Sequence, residues 1–187
     1  MASPGDDRTL RHVLVVGGTV AEWGTRTDSA WASMLTAFGE VANGAGAQWL
    51  TLRPLDAPGD DETSAPDTGA SPVATRRQVV VGGCEVLADP AVDGRDRFVR
   101  AVEQLRVAGA RIDESSLDRV LDAPAEANPD LAVVLGPAHR WPRSLMWELA
   151  YSELVYLDVP WSALQPAHLA DAIAAYAHRH RRFGGVD

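Results

Sequence analysis

The sequence predicts an α/β fold, in which a single domain (residues 1–187) has a central, mostly parallel β-sheet flanked by helices. Short apolar runs such as HVLVVG (residues 12–17) are typical of strands buried on both faces of a parallel sheet. These runs alternate with stretches of helical periodicity, as in other α/β proteins. The chain has 187 residues, of which 46% are hydrophobic. This length suits one well-packed domain and is short for two.

The first half of the chain predicts strand, helix and strand in that order. The first strand is HVLVVG, and the second is AQWLTLRP, which ends at Pro54. The helix between them is expected to begin at Asp28 or Ser29 and to close at Asn43-Gly44. Its apolar residues recur at steps of three and four, namely Trp31, Met34, Leu35, Phe38 and Val41.

The second half predicts further strands and helices after an acidic stretch. Residues 55–72 carry five acidic residues and no basic one, which predicts a flexible loop. Asp113 or Ser115 is placed to cap the short helix DESSLDRVLDAP. We expect residues 1–10 to be disordered. The remaining elements are a third strand in RRQVVVGGCEVLA, a helix in GRDRFVRAVEQLRVAG, a fourth strand in DLAVVLGP and a last helix in AHLADAIAAYAHRHRR.

Composition excludes several classes of function. The net charge of -9 disfavours general affinity for nucleic acid or anionic membranes. All 17 basic residues are arginine, so Schiff-base chemistry and a phosphate-loop lysine are excluded. The single cysteine, Cys84, excludes an internal disulfide. The N-terminus lacks secretory features, and no apolar run reaches the about 18 residues of a membrane span, so we expect a cytoplasmic protein.

The last sixty residues contain the motifs PDL, LMW, AYSEL, DVPW and RRFGGV in this order, and HV followed by EW stands near the N-terminus. Together these motifs resemble the cis-prenyltransferases, the undecaprenyl diphosphate synthase family. The resemblance implies an α/β fold with a mostly parallel sheet and a dimer built largely by the C-terminal half. It also implies that the substrates are allylic diphosphates and isopentenyl diphosphate.

The resemblance is weakest where the family binds its metal. There the first strand ends in Asp-Gly-Asn-Gly-Arg-Trp, and the aspartate holds magnesium against the allylic diphosphate. The corresponding residues here read Gly-Thr-Val-Ala-Glu-Trp, so Gly18, Val20 and Glu22 replace the aspartate, asparagine and arginine. Magnesium needs oxygen ligands and diphosphate needs cationic or N–H donors. The resemblance therefore implies a degenerate catalytic loop without a metal site.

The family's second substrate site is also reduced. An Ile-Arg-Thr stretch and an Arg-x-Ser motif hold isopentenyl diphosphate in the family, whereas this chain has Val-Val-Leu at 133–135 and Arg-Trp-Pro at 140–142. Arg140 and Glu153 can form a residual site, since the family places a glutamate near the metal at position 153. Glu153 can equally orient the backbone or pair with an arginine. The long helices that wall the family's prenyl tunnel are replaced here by the loop at 55–72, which implies that no long tunnel is enclosed.

These losses resemble the Nogo-B receptor type of subunit, the non-catalytic half of heteromeric cis-prenyltransferases. That subunit shares the strand end PDL…GP (residues 129–137), the helix start DGRD (93–96) and a shortened middle. The resemblance implies an accessory subunit that binds no cofactor alone and forms a heterodimer or heterotetramer with a catalytic cis-prenyltransferase homologue. Magnesium and the prenyl diphosphates are then expected in the partner's site, and no membrane span is expected here.

The C-terminus matches the family's Arg-x-Gly segment, which reaches across the dimer to diphosphate in the partner's site. Arg182, Phe183 and Gly184 occupy these positions. Arginine supplies planar, charge-assisted donors to phosphate, and glycine permits close backbone approach. Considered without the resemblance, Arg182 can also be an ordinary cation at a helix C-terminus.

Two other functions stay open at this point. One is a self-sufficient enzyme, such as a terpene cyclase or a condensing enzyme, in which Glu22, Glu153 or Asp28 replaces the missing metal ligand. The other is a homodimer that binds a prenyl lipid without chemistry. A histidine metal site is disfavoured because His178 and His180 are two residues apart and do not share a helical face. Large residues near the final strand are expected at a dimer interface or in the core, namely Trp147, Leu149, Tyr151, Leu154 and Tyr156.

Overall fold

The computed structural model describes residues 9–55, 75–91, 93–136, 142, 147–148 and 152–183, and for 180–183 it describes the backbone alone. The loop expected at 55–72 lies outside the described residues from residue 56 onward. The disorder expected at 1–10 lies outside them up to residue 8. Leu10 is only 8% exposed and belongs to the hydrophobic core, so the expected disorder does not extend to this residue.

A six-stranded sheet forms the centre of the domain, with the strand order β3-β4-β2-β1-β5-β6. Only β3 and β4 run antiparallel, and the other neighbouring pairs are parallel. The predicted fold class is confirmed. The strands are β1 His12–Val16, β2 Trp49–Arg53, β3 Arg77–Val81, β4 Cys84–Ala88, β5 Leu131–Leu135 and β6 Glu153–Leu157. The helices are α1 Val20–Thr25, α2 Asp28–Gly44, α3 Gly94–Val107, α4 Glu114–Leu121 and α5 Pro166–Phe183.

The alternation of side chains along β1 separates two apolar layers. Val13 and Val15 pack into the larger cluster with Trp31 of α2 and Leu169 of α5. Leu14 and the rest of the opposite face form a smaller cluster with β5. Both faces of β1 are therefore buried, as its apolar sequence predicts. Among the described helices none is both long and apolar enough to cross a membrane.

Helix α2 begins at Asp28, as predicted, because Thr27 caps it by accepting a hydrogen bond from the Ala30 N–H at 3.2 Å. Gly39 brings this helix directly onto the β3–β4 pair. A Cβ at position 39 would lie 2.7 Å from Cγ2 of Val81. Because real side chains do not approach so closely, the helix and the sheet leave no space between them at this point.

The prediction of one strand in RRQVVVGGCEVLA was wrong. This stretch forms two antiparallel strands, β3 and β4, joined by the turn Gly82-Gly83. Gly82 has a φ of +60°, which two-residue hairpin turns require and which glycine adopts without strain. The Gly83 N–H donates to Oδ1 of Asn43 at 2.8 Å, so the end of α2 holds the turn. The predicted fourth strand is consequently β5.

The PDL motif anchors the start of β1. Asp130 accepts hydrogen bonds from the backbone N–H groups of Arg11 and His12 at 2.8 and 3.0 Å. The fully buried His12 ring contacts the Ala127 carbonyl through Nδ1 at 2.7 Å and the Thr51 hydroxyl through Nε2 at 3.0 Å. A carbonyl only accepts, so Nδ1 carries a proton, and the lowered pKa of the ring makes it neutral at pH 7. Burial lowers the pKa of His12 from 6.5 to about 4.

Candidate functional site

The sheet topology identifies where a ligand site is expected. The chain leaves β1 for β2 on one side and later adds β5 on the other side. In open α/β sheets, ligands bind outside the carboxyl ends of the strands at such a reversal of strand order. A pocket of about 190 Å³ lies at this place. Its lining residues are Gly18, Thr19, Glu22, Leu55, Leu135, Gly136, Val159, Pro160 and Trp161.

The Gly17-Gly18 turn at the end of β1 is fixed on both sides. The Gly17 N–H donates to the Arg53 carbonyl at 3.0 Å, and the Leu55 N–H donates to the Gly18 carbonyl at 2.6 Å. A Cβ at position 17 would lie 2.3 Å from Cδ1 of Leu135. Position 18 has a φ of +71°, and a Cβ there would lie 2.6 Å from Cγ of Trp161. The turn therefore requires glycine at both positions.

Three tryptophans fill the space behind this turn. The Trp23 indole N–H donates to the Gly17 carbonyl at 2.9 Å. Its ring stacks on Trp161 at 5.4 Å between centroids and meets Trp31 edge-on at 4.9 Å. The Arg26 guanidinium lies over the rings of Trp31 and Trp161 at 5.7 and 5.6 Å. These contacts make the back wall of the pocket a packed aromatic cluster.

Glu22 is engaged in a capping box at the start of α1. Its carboxylate accepts from the Thr19 N–H at 2.7 Å, and its own N–H donates to the Thr19 hydroxyl at 3.1 Å. Two backbone donors that could face an anion are thus satisfied internally. Glu22 is also the only charged residue among the described residues of the pocket lining. An anionic ligand would meet a carboxylate here instead of a cation.

The structure does not bring the three candidate metal ligands together. Glu22 follows the carboxyl end of β1. Glu153 begins the parallel strand β6 and so lies at the amino ends of the strands, on the opposite side of the sheet from Glu22. A five-residue strand separates these two ends by roughly 15 Å. Asp28 is 93% exposed and pairs with Arg77 at 2.6 Å. Within the described ranges, no cluster of three or more His, Cys, Asp or Glu residues is placed to hold a metal.

The sequence left open whether Glu153 lies near a metal, orients the backbone or pairs with an arginine. In the structure it pairs with an arginine. The Arg179 guanidinium donates to its carboxylate at 3.2 Å. Val20 opens α1 and packs, partly buried, against the main core. Arg140 and Gly184 lie outside the described residues. Arg182 and Phe183 belong to the backbone of α5, which places them at the C-terminal end of that helix.

A buried charge cluster is the feature that sequence reasoning missed. Glu148 is 1% exposed and accepts hydrogen bonds from Arg53 of β2 and from Arg97 of α3, the latter at 2.8 Å. Arg97 also donates to the Leu121 carbonyl at 2.7 Å. The cluster thus joins β2, α3, the end of α4 and the segment that precedes β6. An arginine at the end of the apolar strand WLTLR was the one available signal.

Asp122, which directly follows α4, lies close enough to this cluster to feel its charges. The pKa values of Glu148 and Asp122 are shifted in opposite directions. Burial alone would raise the pKa of Glu148, but Arg53 and Arg97 outweigh it and lower the pKa to about 2. Burial, followed by repulsion from Glu148, raises the pKa of Asp122 to about 7. Among the described residues, neither carboxylate oxygen of Asp122 has a hydrogen-bond partner. Glu148 is therefore charged and paired, whereas Asp122 holds a proton up to neutral pH.

Comparison with known proteins identifies the family. The prenyltransferase family model, described as "Putative undecaprenyl diphosphate synthase", matches residues 90–184. The chain belongs to this family. The matched region contains α3, α4, β5, β6 and α5, whereas the Gly17-Gly18 turn and the hairpin lie ahead of it.

Curated relatives match the same half of the chain. Isoprenyl transferase 2 of Bradyrhizobium diazoefficiens is 41% identical over 90 residues, which are 48% of this chain and 36% of the relative. The isoprenyl transferase of Chlamydia caviae is 36% identical over 98 residues, which are 49% of this chain and 39% of the relative. The matched stretch thus spans well under half the length of either relative.

Solved structures share the fold over nearly the whole chain. A probable undecaprenyl diphosphate synthase from Campylobacter jejuni has a TM-score of 0.57 at 17% identity and covers 94% of this chain and 99% of its own. Lavandulyl diphosphate synthase from Lavandula x intermedia, in complex with dimethylallyl diphosphate, has a TM-score of 0.58 at 16% identity, with 90% and 95% covered. At these identities the likeness concerns the fold.

Proposed function

We propose that this chain is a non-catalytic accessory subunit of a heteromeric cis-prenyltransferase, similar in role to the Nogo-B receptor type of subunit. The observation that carries the proposal is the contact between Gly18 and Trp161. Position 18 corresponds to the family's metal-holding aspartate, and here the indole ring lies where a side chain at that position would begin. The site has therefore lost its ligand and also the space for it.

The electrostatics of the pocket support the same proposal. The carboxylate of Glu22 stands where the family's arginine meets phosphate, and it is held there by Thr19. A magnesium–diphosphate group needs several oxygen ligands and cationic or N–H donors. The residues of this pocket do not fit such a group. We assign magnesium and the prenyl diphosphates to the active site of a catalytic partner.

The contribution of this chain to the partner is the C-terminal segment. Helix α5 extends to Phe183, so Arg182 lies in its last turn and Gly184 follows directly. An arginine there can donate two parallel hydrogen bonds to a phosphate group, and the following glycine allows the backbone to approach closely. In this proposal Arg182, Phe183 and Gly184 complete the partner's diphosphate site. The partner is a cis-prenyltransferase homologue that retains the catalytic aspartate.

The first test is isolation of the tagged chain from its native cells under gentle conditions. We expect a second cis-prenyltransferase homologue in equal amount, magnesium-dependent prenyl transfer by the complex and none by this chain alone. The Arg182→Ala variant should lower the activity of the complex at least tenfold, about 1.4 kcal/mol, with assembly unchanged. Arg181→Ala removes the same charge one residue away and serves as the matched control. Equal activity of the wild-type and Arg182→Ala complexes would contradict the donated-arginine role.

The same preparation separates the two alternative functions. Metal-dependent release of diphosphate by the isolated chain would indicate a self-sufficient terpene cyclase or condensing enzyme. Saturable binding of a prenyl diphosphate by a homodimer, without turnover or partner, would indicate a lipid-binding protein. The separation of Glu22 from Glu153 across the sheet weighs against the former. The packed tryptophans behind the Gly17-Gly18 turn weigh against the latter.

A further inference from the structure

The C-terminal part of α5 is tied to the first residues of β6 just before its last turn. Arg179 donates to the carboxylate of Glu153 at 3.2 Å and to the backbone carbonyl of Leu154 at 3.2 Å. Glu153 is held in the sheet, since its own N–H donates to the Asp130 carbonyl at 2.9 Å. One guanidinium group therefore joins the end of a helix to two acceptors on a fixed strand.

This contact lies three residues before Arg182. An α-helix rises 1.5 Å per residue, so the backbone of position 182 is about 4.5 Å beyond Arg179 along the helix axis. Within so short a distance a helix does not bend without a specific cause such as proline, and the sequence from Arg179 to Phe183 has none. The direction of the helix at Arg179 consequently sets where the backbone of Arg182 lies.

We propose that Glu153 and Arg179 form a positioning pair that orients the end of α5 and, with it, the backbone of Arg182 and Phe183. This inference rests on the proposed function, because that function gives the segment its role in the partner's site. It assigns Glu153 a structural role at the amino ends of the strands, whereas the pocket lies at their carboxyl ends. Glu153 and Arg179 touch no substrate in this arrangement and act through the position of Arg182.

The pair is suited to fixing direction more than to adding stability. The side chains of Arg179 and Glu153 are 54% and 24% exposed, and such exposed ion pairs add little to stability. The helix C-terminus favours a cation, and the Leu154 carbonyl supplies a second acceptor for the same guanidinium nitrogen. Loss of the pair should loosen the last turn of α5 while the core around Leu169 and Tyr176 stays packed.

Charge reversal tests the pair in the isolated full-length chain. Amide hydrogen exchange at residues 180–183 should be about fivefold faster in Arg179→Glu and in Glu153→Arg. The double variant, which exchanges the two charges, should return to within about twofold of wild type. His178→Ala, an exposed neighbour in the same turn, is the control and should match wild type. If both single variants exchanged at the wild-type rate, or the double variant did not recover, Glu153 and Arg179 would not orient the end of α5.

The complex with the co-isolated partner supplies a functional readout. The Arg179→Glu variant should raise the KM for the allylic diphosphate severalfold with kcat within about twofold, because a misplaced Arg182 weakens substrate binding. The double variant should recover most of the loss. If Arg182→Ala leaves KM unchanged, the donated-arginine role fails. The exchange result still decides whether the pair orders the end of α5. If Arg179→Glu alters exchange but not KM, the pair does not position the segment and the inference is wrong.

Discussion

Gly18 and Trp161 are in such close contact that the structure admits no side chain at position 18. A Cβ built there would lie 2.6 Å from Cγ and 2.9 Å from Cδ1 of the indole ring. The ring is held in turn by stacking on Trp23, whose indole N–H binds the Gly17 carbonyl. The packing of the domain thus leaves no room for a side chain at position 18, and making room requires a change at Trp161 as well.

We expect that Gly18→Asp restores no magnesium-dependent activity to the isolated chain and destabilises it by about 2–4 kcal/mol. The cost has two sources, the positive φ of +71° and the contact with Trp161. Urea denaturation measures the total. Gly109→Asp is the matched control, since Gly109 has a φ of +64° but open space around it. That variant should cost only about 1 kcal/mol. If both variants were equally stable, or Gly18→Asp gained activity, the turn would not be locked.

Substitution of Glu22 should cost a modest amount of stability, because its carboxylate completes the capping box at the start of α1. Glu22→Ala removes the acceptor for the Thr19 N–H, which should lower the free energy of unfolding by about 1 kcal/mol. Glu40→Ala removes the charge of another exposed acid on a helix and should leave the stability within about 0.5 kcal/mol of wild type. A loss no larger than that of Glu40→Ala would show that the capping box is not formed in solution.

The sequence predicted those elements whose signals are local. The apolar run of β1, the periodicity of α2 and the cap Asp113 all depend on neighbouring residues. The hairpin was missed because a single strand was predicted for the run RRQVVVGGCEVLA. Two glycines between apolar runs are a known signature of a two-residue hairpin, and the positive φ of Gly82 confirms the turn. The capping box of Glu22 was missed although Thr-x-x-Glu is its known signature.

The packing of the site was beyond the reach of sequence reasoning. The contact of Gly18 with Trp161 and the pairing of Arg53 with Glu148 join residues that are far apart in the chain. The arginine at the end of WLTLR indicated a buried charge, but a single sequence does not show which distant residue pairs with it. The sequence located the turn after β1, and the structure adds that Trp161 occupies the space that a side chain at position 18 would need.

His12 predicts a loss of stability on acidification. Its pKa is 6.5 when unfolded and about 4 in the fold, so between these values only the unfolded chain takes up the proton. Stability should therefore fall as the pH drops from 6.5 towards 4, by about 3 kcal/mol in total. His12→Asn retains an N–H donor for the Ala127 carbonyl but does not titrate, so its stability should fall less over this range. Urea denaturation at pH 7.5, 6 and 5 provides the comparison, and parallel curves would contradict it.

The titration of Asp122 should increase stability as the pH falls, opposite to the effect of His12. Substituting each residue separately distinguishes the two contributions. The pKa of Asp122 is raised in the fold from 3.8 to about 7, so the folded chain binds the proton more tightly and stability rises as the pH falls from 7. This shift corresponds to about 4 kcal/mol. Asp122→Asn keeps the shape of the neutral acid and should raise the free energy of unfolding at pH 8 by about 2 kcal/mol, since the amide still lacks partners. The gain should shrink by pH 5, where the wild-type carboxyl is already protonated. A gain that is the same at both pH values would show that Asp122 does not titrate in this range.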